Sequence, residues 1–293
     1  MITIFSTPKN FEGIYKIIQM NALQSWRKIS PDIQIIILGD SKGSQAAANE
    51  IGADYIPKVL SSKQGTPILS DLFRQSENIA KFSIMTFINS DIILPESFLK
   101  NVKKVENYFS KFLLIGHRWD INIESIINFN DENKIKIFWK DILLKSQKHD
   151  CSGIDYFVFR KGQMKNIPDF VIGRWGYDNW IVWNARRSFI PVIDGSEEIC
   201  AIHQNHDYTF HNIRDREHSK NNSEALKNKK MYQNKTMNIL DSTYVLKSSK
   251  VERKNNKSDK IRYWKRMRLV FPELSLLFKV IYKIRSKWVS IEI

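Results

Sequence analysis

Residues 81–95 read KFSIMTFINSDIILP. An apolar, β-branched run that stops abruptly at Asn89-Ser90-Asp91 predicts a strand buried on both faces of a sheet. A carboxylate at the end of such a strand stands where open α/β sheets bind their ligands. Asp91 has a second reading, as the cap of a helix beginning near Pro95, because Asp and Pro both favour helix starts. What surrounds the stretch decides between the two.

Working outward, strands and helices alternate. Met1–Phe5 and Ile33–Leu38 are short β-branched runs, closed by Ser6-Thr7-Pro8 and Gly39-Asp40. Between them Ile14, Ile17, Ile18, Ala22, Leu23 and Trp26 recur at helical spacing. Helices are expected again over 45–51, 68–80 and 95–108, with strands at 53–56 and 112–115. This order predicts an α/β fold: a Rossmann-related, mixed but mostly parallel sheet with helices on both faces. Residues 121–148 are polar and hold one amphipathic helix, near 135–144. Further strands are expected at 154–159, 189–193 and 199–203, with a helix at 181–187. No GxGxxG or GxxxxGK[ST] occurs, so a bound phosphate needs another holder, for which a metal ion is the obvious device.

Composition bounds the rest. The 293 residues carry a net charge of +15, and 42% are hydrophobic, a globular balance with ample core. Residues 247–293 hold 14 Lys or Arg against four acids, a net of +10 that leaves +5 for the preceding 246 residues. A nucleic-acid-binding body would carry its basic residues on the folded surface instead. Two cysteines without paired spacing, and no signal peptide or spanning run, give a cytoplasmic expectation. Three segments are expected: a catalytic domain over 1–212, a polar helical and linker segment over 213–260, and a basic amphipathic segment over 261–293. Residues 247–260 read as solvated linker. The last segment suits an anionic membrane surface on its inner face, or docks on its own domain.

Three polar clusters recur at strand ends: Asn89-Ser90-Asp91, Trp175-Gly176-Tyr177-Asp178-Asn179-Trp180 and His203-Gln204-Asn205-His206-Asp207. Carboxylates and imidazoles from separate strands can share a divalent ion, which neutralises a diphosphate leaving group. Another carboxylate can take a proton from an attacking hydroxyl. In this order the clusters resemble a nucleotide-sugar glycosyltransferase of the GT-A fold, over about residues 1–210. The resemblance implies a DxD-type motif binding Mn²⁺ or Mg²⁺, with Asp91 the chief ligand and Asn89 and Ser90 in supporting roles. It implies His203 or His206 as the C-terminal ligand, the choice left open, and Asp178 as general base of an inverting transfer. Thr7, Pro8 and Asp40 are then expected at the base and ribose of the nucleotide-sugar donor, and Arg74 at a phosphate. Trp175, Gly176, Tyr177 and Asn179 are expected at the sugar or at a glycan or lipid-linked acceptor, Trp175 presenting its ring. Trp183 reads better as core, and Asp207 as a turn.

Rivals from other classes are a metal-dependent hydrolase, a nucleic-acid- or membrane-binding protein acting through the tail, and a non-catalytic scaffold. The chain lacks HExxH spacing, a denser two-metal cluster and any RNP-type or zinc-finger signature.

Overall fold

The computed structural model describes residues 1–206 and 223–291. Its frame is a nine-stranded sheet. In chain order the strands are β1 (Ile2–Ser6), β2 (Gln34–Leu38), β3 (Asp54–Ile56), β4 (Ile84–Ile88), β6 (Leu113–Ile115), β9 (Tyr156–Arg160), β10 (Val192–Asp194), β12 (Tyr244–Lys247) and β13 (Lys250–Arg253). Across the sheet they run β13-β12-β10-β6-β9-β4-β1-β2-β3. A smaller sheet, in the order β5-β11-β7-β8, is made by β5 (Ile92–Ile93), β7 (Arg118–Asn122), β8 (Gln147–Lys148) and β11 (Ala201–Asn205).

The opening strand is central and buried as its composition predicts. β4 pairs in parallel with β1, which pairs in parallel with β2. Alternate residues feed opposite apolar layers. Phe5, Met85, Phe87 and Phe159 enter one; Ile4, Ile84, Ile88 and Val158 enter the other. Each such side chain contributes about 1.5–3 kcal/mol on leaving water, so a one-residue slip would exchange the two layers.

Two strands run against the rest. β9 is antiparallel to both β4 and β6, and β13 is antiparallel to β12. The first inversion matters for chemistry, because it brings the start of β9 to the edge where β4 ends.

Helices α1 (Gly13–Ile29), α2 (Ser44–Glu50), α3 (Leu69–Ile79), α4 (Phe98–Tyr108), α5 (Glu132–Lys145) and α6 (Tyr177–Arg187) fall close to their expected positions. Helix α4 starts after Ser97, and β5 separates it from Asp91, so Asp91 is no helix cap. The expected strand over 189–193 begins later, since Phe189 is exposed with φ 55°.

The stretch read as solvated linker is ordered. Lys250–Arg253 returns on β12 through Ser248 and Ser249, both at positive φ, and helix α8 (Lys257–Val270) follows, after α7 (Ser223–Tyr232) earlier in the chain. The basic tail docks at its start. Met267, Val270 and Phe271 of α8 and its end, and Phe278 of α9 (Ser275–Ile291), join the layer containing Trp183 and Ile190. Trp183 Nε1 donates to the Leu269 carbonyl at 2.8 Å. Beyond that contact Leu276, Leu277 and Val280 are exposed.

Candidate active site

Parallel pairing aligns the carboxyl ends of β4, β1 and β2 on one sheet edge. That edge therefore carries Asn89-Ser90-Asp91, Thr7-Pro8 and Asp40 side by side. The loops are tied together by Gln19 of α1, whose Oε1 accepts from Lys9 N at 2.6 Å and Ser90 Oγ at 3.1 Å. Ser90 thus holds the loop.

β11 delivers the histidines. It pairs antiparallel with β5, directly after Asp91, and parallel with β7. Both imidazoles turn Nε2 toward Asp91 Oδ2, His206 at 3.2 Å and His203 at 3.6 Å. A carboxylate oxygen and two imidazole nitrogens then lie within 4.8 Å of one another. Asp91 Oδ1 is buried and has no hydrogen-bond partner among the described residues. An orphaned carboxylate oxygen beside two inward imidazoles is a donor set that fits a divalent cation. Both histidines, between which the sequence left the choice open, reach the same Asp91 oxygen. Asp207 lies outside the described residues.

Gln204, between the histidines, is fully buried. Its Nε2 donates to the Ile18 and Asp91 carbonyls at 2.7 and 3.1 Å, and its Oε1 accepts from Asn21 Nδ2 at 3.0 Å. It fixes β11 to α1 and to the Asp91 loop together.

The charges around Asp91 come from residues that motif reading passes over. His203 Nδ1 is 3.0 Å from Asp120 Oδ1. Asp120 also meets His149 Nδ1 at 2.5 Å and Arg118 Nε at 2.9 Å. Arg118 bridges to Asp155 at 2.8 Å, and Asp155 Oδ1 accepts from Asn89 Nδ2 at 2.6 Å. Asp155 joins because antiparallel β9 starts where β4 ends. Asp120 joins because β7 alternates, Trp119 and Ile121 packing on an apolar cluster while Arg118 and Asp120 face the site. That alternation in RWDIN was the available sequence signal.

Electrostatics separates the carboxylates. Burial pushes Asp91 up, but His203, His206 and Arg118 outweigh it and hold it at about 2. Asp120 settles at about 2 likewise, burial being outweighed by His203, Arg118 and His149. Asp178 goes the other way: desolvation first, with Asp155 adding to it, pushes its carboxyl to about 7 against the pull of backbone N–H groups. Tyr177 links the two ends of the cluster. Burial, then Asp178, Asp155 and Asp91, raise its phenol, while a hydrogen bond with Asn89 lowers it.

Gly176 positions Asp178 at the start of α6. It has φ 97°, and a β-carbon there would stand 2.2 Å from the Tyr232 ring. Trp175 presents an exposed ring, as expected, while Trp180 and Trp183 are core. Among the described residues Asn179 Nδ2 is buried without a hydrogen-bond partner, as is Thr7 Oγ1, which lies 3.2 Å from where a β-carbon on Gly39 would sit. Asp40 is exposed at its strand end. Arg74 is also exposed and pairs with Asp71 on its own helix, so it is not drawn into the Asp91 cluster.

No protein-family model and no curated protein matches the chain. Solved structures do. Residues 1–349 of Staphylococcus aureus TarS, in complex with UDP-GlcNAc, superpose with a TM-score of 0.51 at 11% identity, covering 92% of this chain and 72% of that one. The fold is GT-A. Against a longer S. aureus TarS chain the TM-score is 0.46 at 13% identity, over 70% of this chain and 36% of that one. Mycobacterium tuberculosis glucosyl-3-phosphoglycerate synthase, in complex with Mn²⁺, UDP and glucosyl-3-phosphoglycerate, gives 0.43 at 14% identity, over 71% and 74%. The GT-A fold accounts for the sheet edge on which the polar clusters meet.

Proposed function

We propose that the protein is a metal-dependent, inverting glycosyltransferase that moves a sugar from a nucleoside-diphosphate donor to a hydroxyl acceptor in glycan or polysaccharide synthesis. The observation that carries this reading is the convergence of Asp91, His203 and His206, with Asp155 of the surrounding charge network also helping to raise Asp178 to about 7. A divalent ion held by those three side chains would neutralise the departing diphosphate. Two imidazoles beside one carboxylate favour Mn²⁺ over Mg²⁺, because Mg²⁺ takes oxygen ligands and accepts imidazole nitrogen less readily.

The chain's own groups supply the remainder. Asp178, with a pKa matched to its working pH, accepts the acceptor hydroxyl proton as that oxygen bonds to the anomeric carbon. The bond from that carbon to the diphosphate oxygen breaks on the opposite side, so configuration inverts. Asn89 and Arg118 hold Asp155 away from that proton. Thr7 Oγ1 offers an unsatisfied donor to the nucleoside, and Trp175 an exposed ring to a sugar face.

The test is a donor screen with Mn²⁺, Mg²⁺ and chelator, reading product configuration by NMR. Wild type should turn over one donor with inversion, Mn²⁺ acting at the lower concentration. Asp91→Ala should abolish metal-dependent turnover, and Asp178→Asn should abolish transfer while donor binding persists. Full metal-dependent turnover by Asp91→Ala would sink the metal assignment. Phosphoester hydrolysis without sugar transfer would favour the hydrolase.

Among the described residues no helix is long and apolar enough to cross a membrane. The exposed Leu276, Leu277 and Val280, beside Lys279, support peripheral attachment to an anionic inner membrane surface. Sedimentation with anionic vesicles that survives Leu276→Glu/Leu277→Glu would refute it.

A further inference from the structure

A cationic cavity, of ≈ 270 Å³, lies between the 3₁₀ turn Ile239–Asp241, the end of β13 and the first turns of α8. Six cations line it: Arg186, Arg253, Lys254, Lys260, Arg262 and Arg266. Two acids, Asp241 and Asp259, line it with them. Arg186 is at the last turn of α6 and Asp178 in its first, so at 1.5 Å per residue the cavity stands about 12 Å along the helix axis from the base.

Most of the wall is prearranged. Asp241 is almost wholly buried and meets Arg262 Nε at 2.8 Å and Arg266 at 3.2 Å, while Arg186 donates to its carbonyl. Lys254 meets Asp194 at 3.3 Å. One carboxylate thus orients two guanidiniums that outnumber it, and among the described residues Arg266 Nε remains buried without a partner. Arg253 and Lys260 have no ion pair among the described residues. Guanidiniums held in fixed orientation, with charge left over, match phosphate oxygens in pairs. The volume falls below the ~300 Å³ at which pockets for larger ligands begin, which suits a phosphodiester or diphosphate group and not a whole nucleotide sugar.

We propose that this cavity binds a phosphate-bearing ligand, separately from the donor site. Two sources offer that chemistry, a soluble phosphate compound and a phospholipid headgroup.

The probe is inorganic pyrophosphate, titrated calorimetrically into the full chain in chelator, so that no divalent ion retains it at Asp91. One saturable site is expected, weakened at least tenfold by Arg253→Ala/Lys260→Ala and unchanged by Asp91→Ala. Both cavity changes are at exposed, unpaired side chains, and an unaltered melting temperature verifies the fold. Binding that ignores the double variant, or that vanishes with Asp91→Ala, overturns the proposal. A second arm uses phosphatidylglycerol vesicles. With the tail contact removed by Leu276→Glu/Leu277→Glu, a headgroup source predicts that sedimentation falls by a similar factor on adding the two cavity changes and that pyrophosphate competes; if only pyrophosphate binding falls, the source is soluble.

Discussion

His203 Nδ1 lies 3.0 Å from Asp120 Oδ1. The carboxylate favours a proton on that nitrogen and leaves Nε2, the one facing Asp91, as the lone-pair donor. A carboxylate behind a histidine fixes ring orientation and raises its basicity, and losing it typically costs 10–100-fold in metal affinity. Asp120→Asn should therefore weaken Mn²⁺ binding by about that factor. Saturating metal should recover most of kcat, because Asp120 does not touch the reacting atoms. A kcat that stays low at saturating Mn²⁺ would assign Asp120 another role.

The two histidines differ in their surroundings. His203 is nearly buried and backed by Asp120, whereas His206 is more exposed, with its ring 5.1 Å from Tyr15. His203→Ala should lose more metal affinity than His206→Ala, and should also lower the melting temperature through the buried pair it breaks. Metal titration followed by thermal denaturation separates the two effects.

Asp178 ties activity to pH. Its folded pKa of about 7 exceeds the ordinary 3.8, so the folded state binds the proton more tightly than the unfolded chain. Stability is then lost as pH rises from about 4 to about 7, and the penalty is complete above that. Asp178→Asn should stabilise the protein above pH 7 by roughly 2–4 kcal/mol and leave stability near pH 4 unchanged. Transfer by wild type should rise with pH through about 7, a limb the variant lacks. Equal stability of the two proteins at pH 8 would contradict the assigned environment.

Gly176→Ala should be costly twice. It places a side chain at φ 97° and drives it into Tyr232. Strain and overpacking together give about 2–4 kcal/mol of destabilisation. Asp178, two residues on, would shift with the helix start. Thermal melts should register the first effect, and kcat measured well below the new melting temperature the second.

What the sequence made legible was whatever rests on local pattern. The apolar runs of β1, β2 and β4 and the periodicity of α1 read directly, and so did Asp91, His203 and His206 as polar interruptions at strand ends. What it concealed depends on pairing across long separations. Asp155 looks like the first polar residue of an apolar strand until β9 is known to run backwards beside β4. Asp120 gains its meaning from His203, 83 positions away. The hairpin over 244–253 is polar enough to pass for linker, since only Leu246 is buried in it, and tertiary pairing overrides weak β-propensity.

The Gln204 side chain has a kinetic consequence. Its partners lie 113, 183 and 186 positions earlier in the chain. Closing loops of that length precedes any reward from the contacts they allow. The Asp91–His203–His206 cluster is therefore assembled late, after the early βα units have formed. A nascent chain halted before β11 emerges should bury most of β1 to β4 yet hold no ion at Asp91, so metal capture would report that β11 has docked.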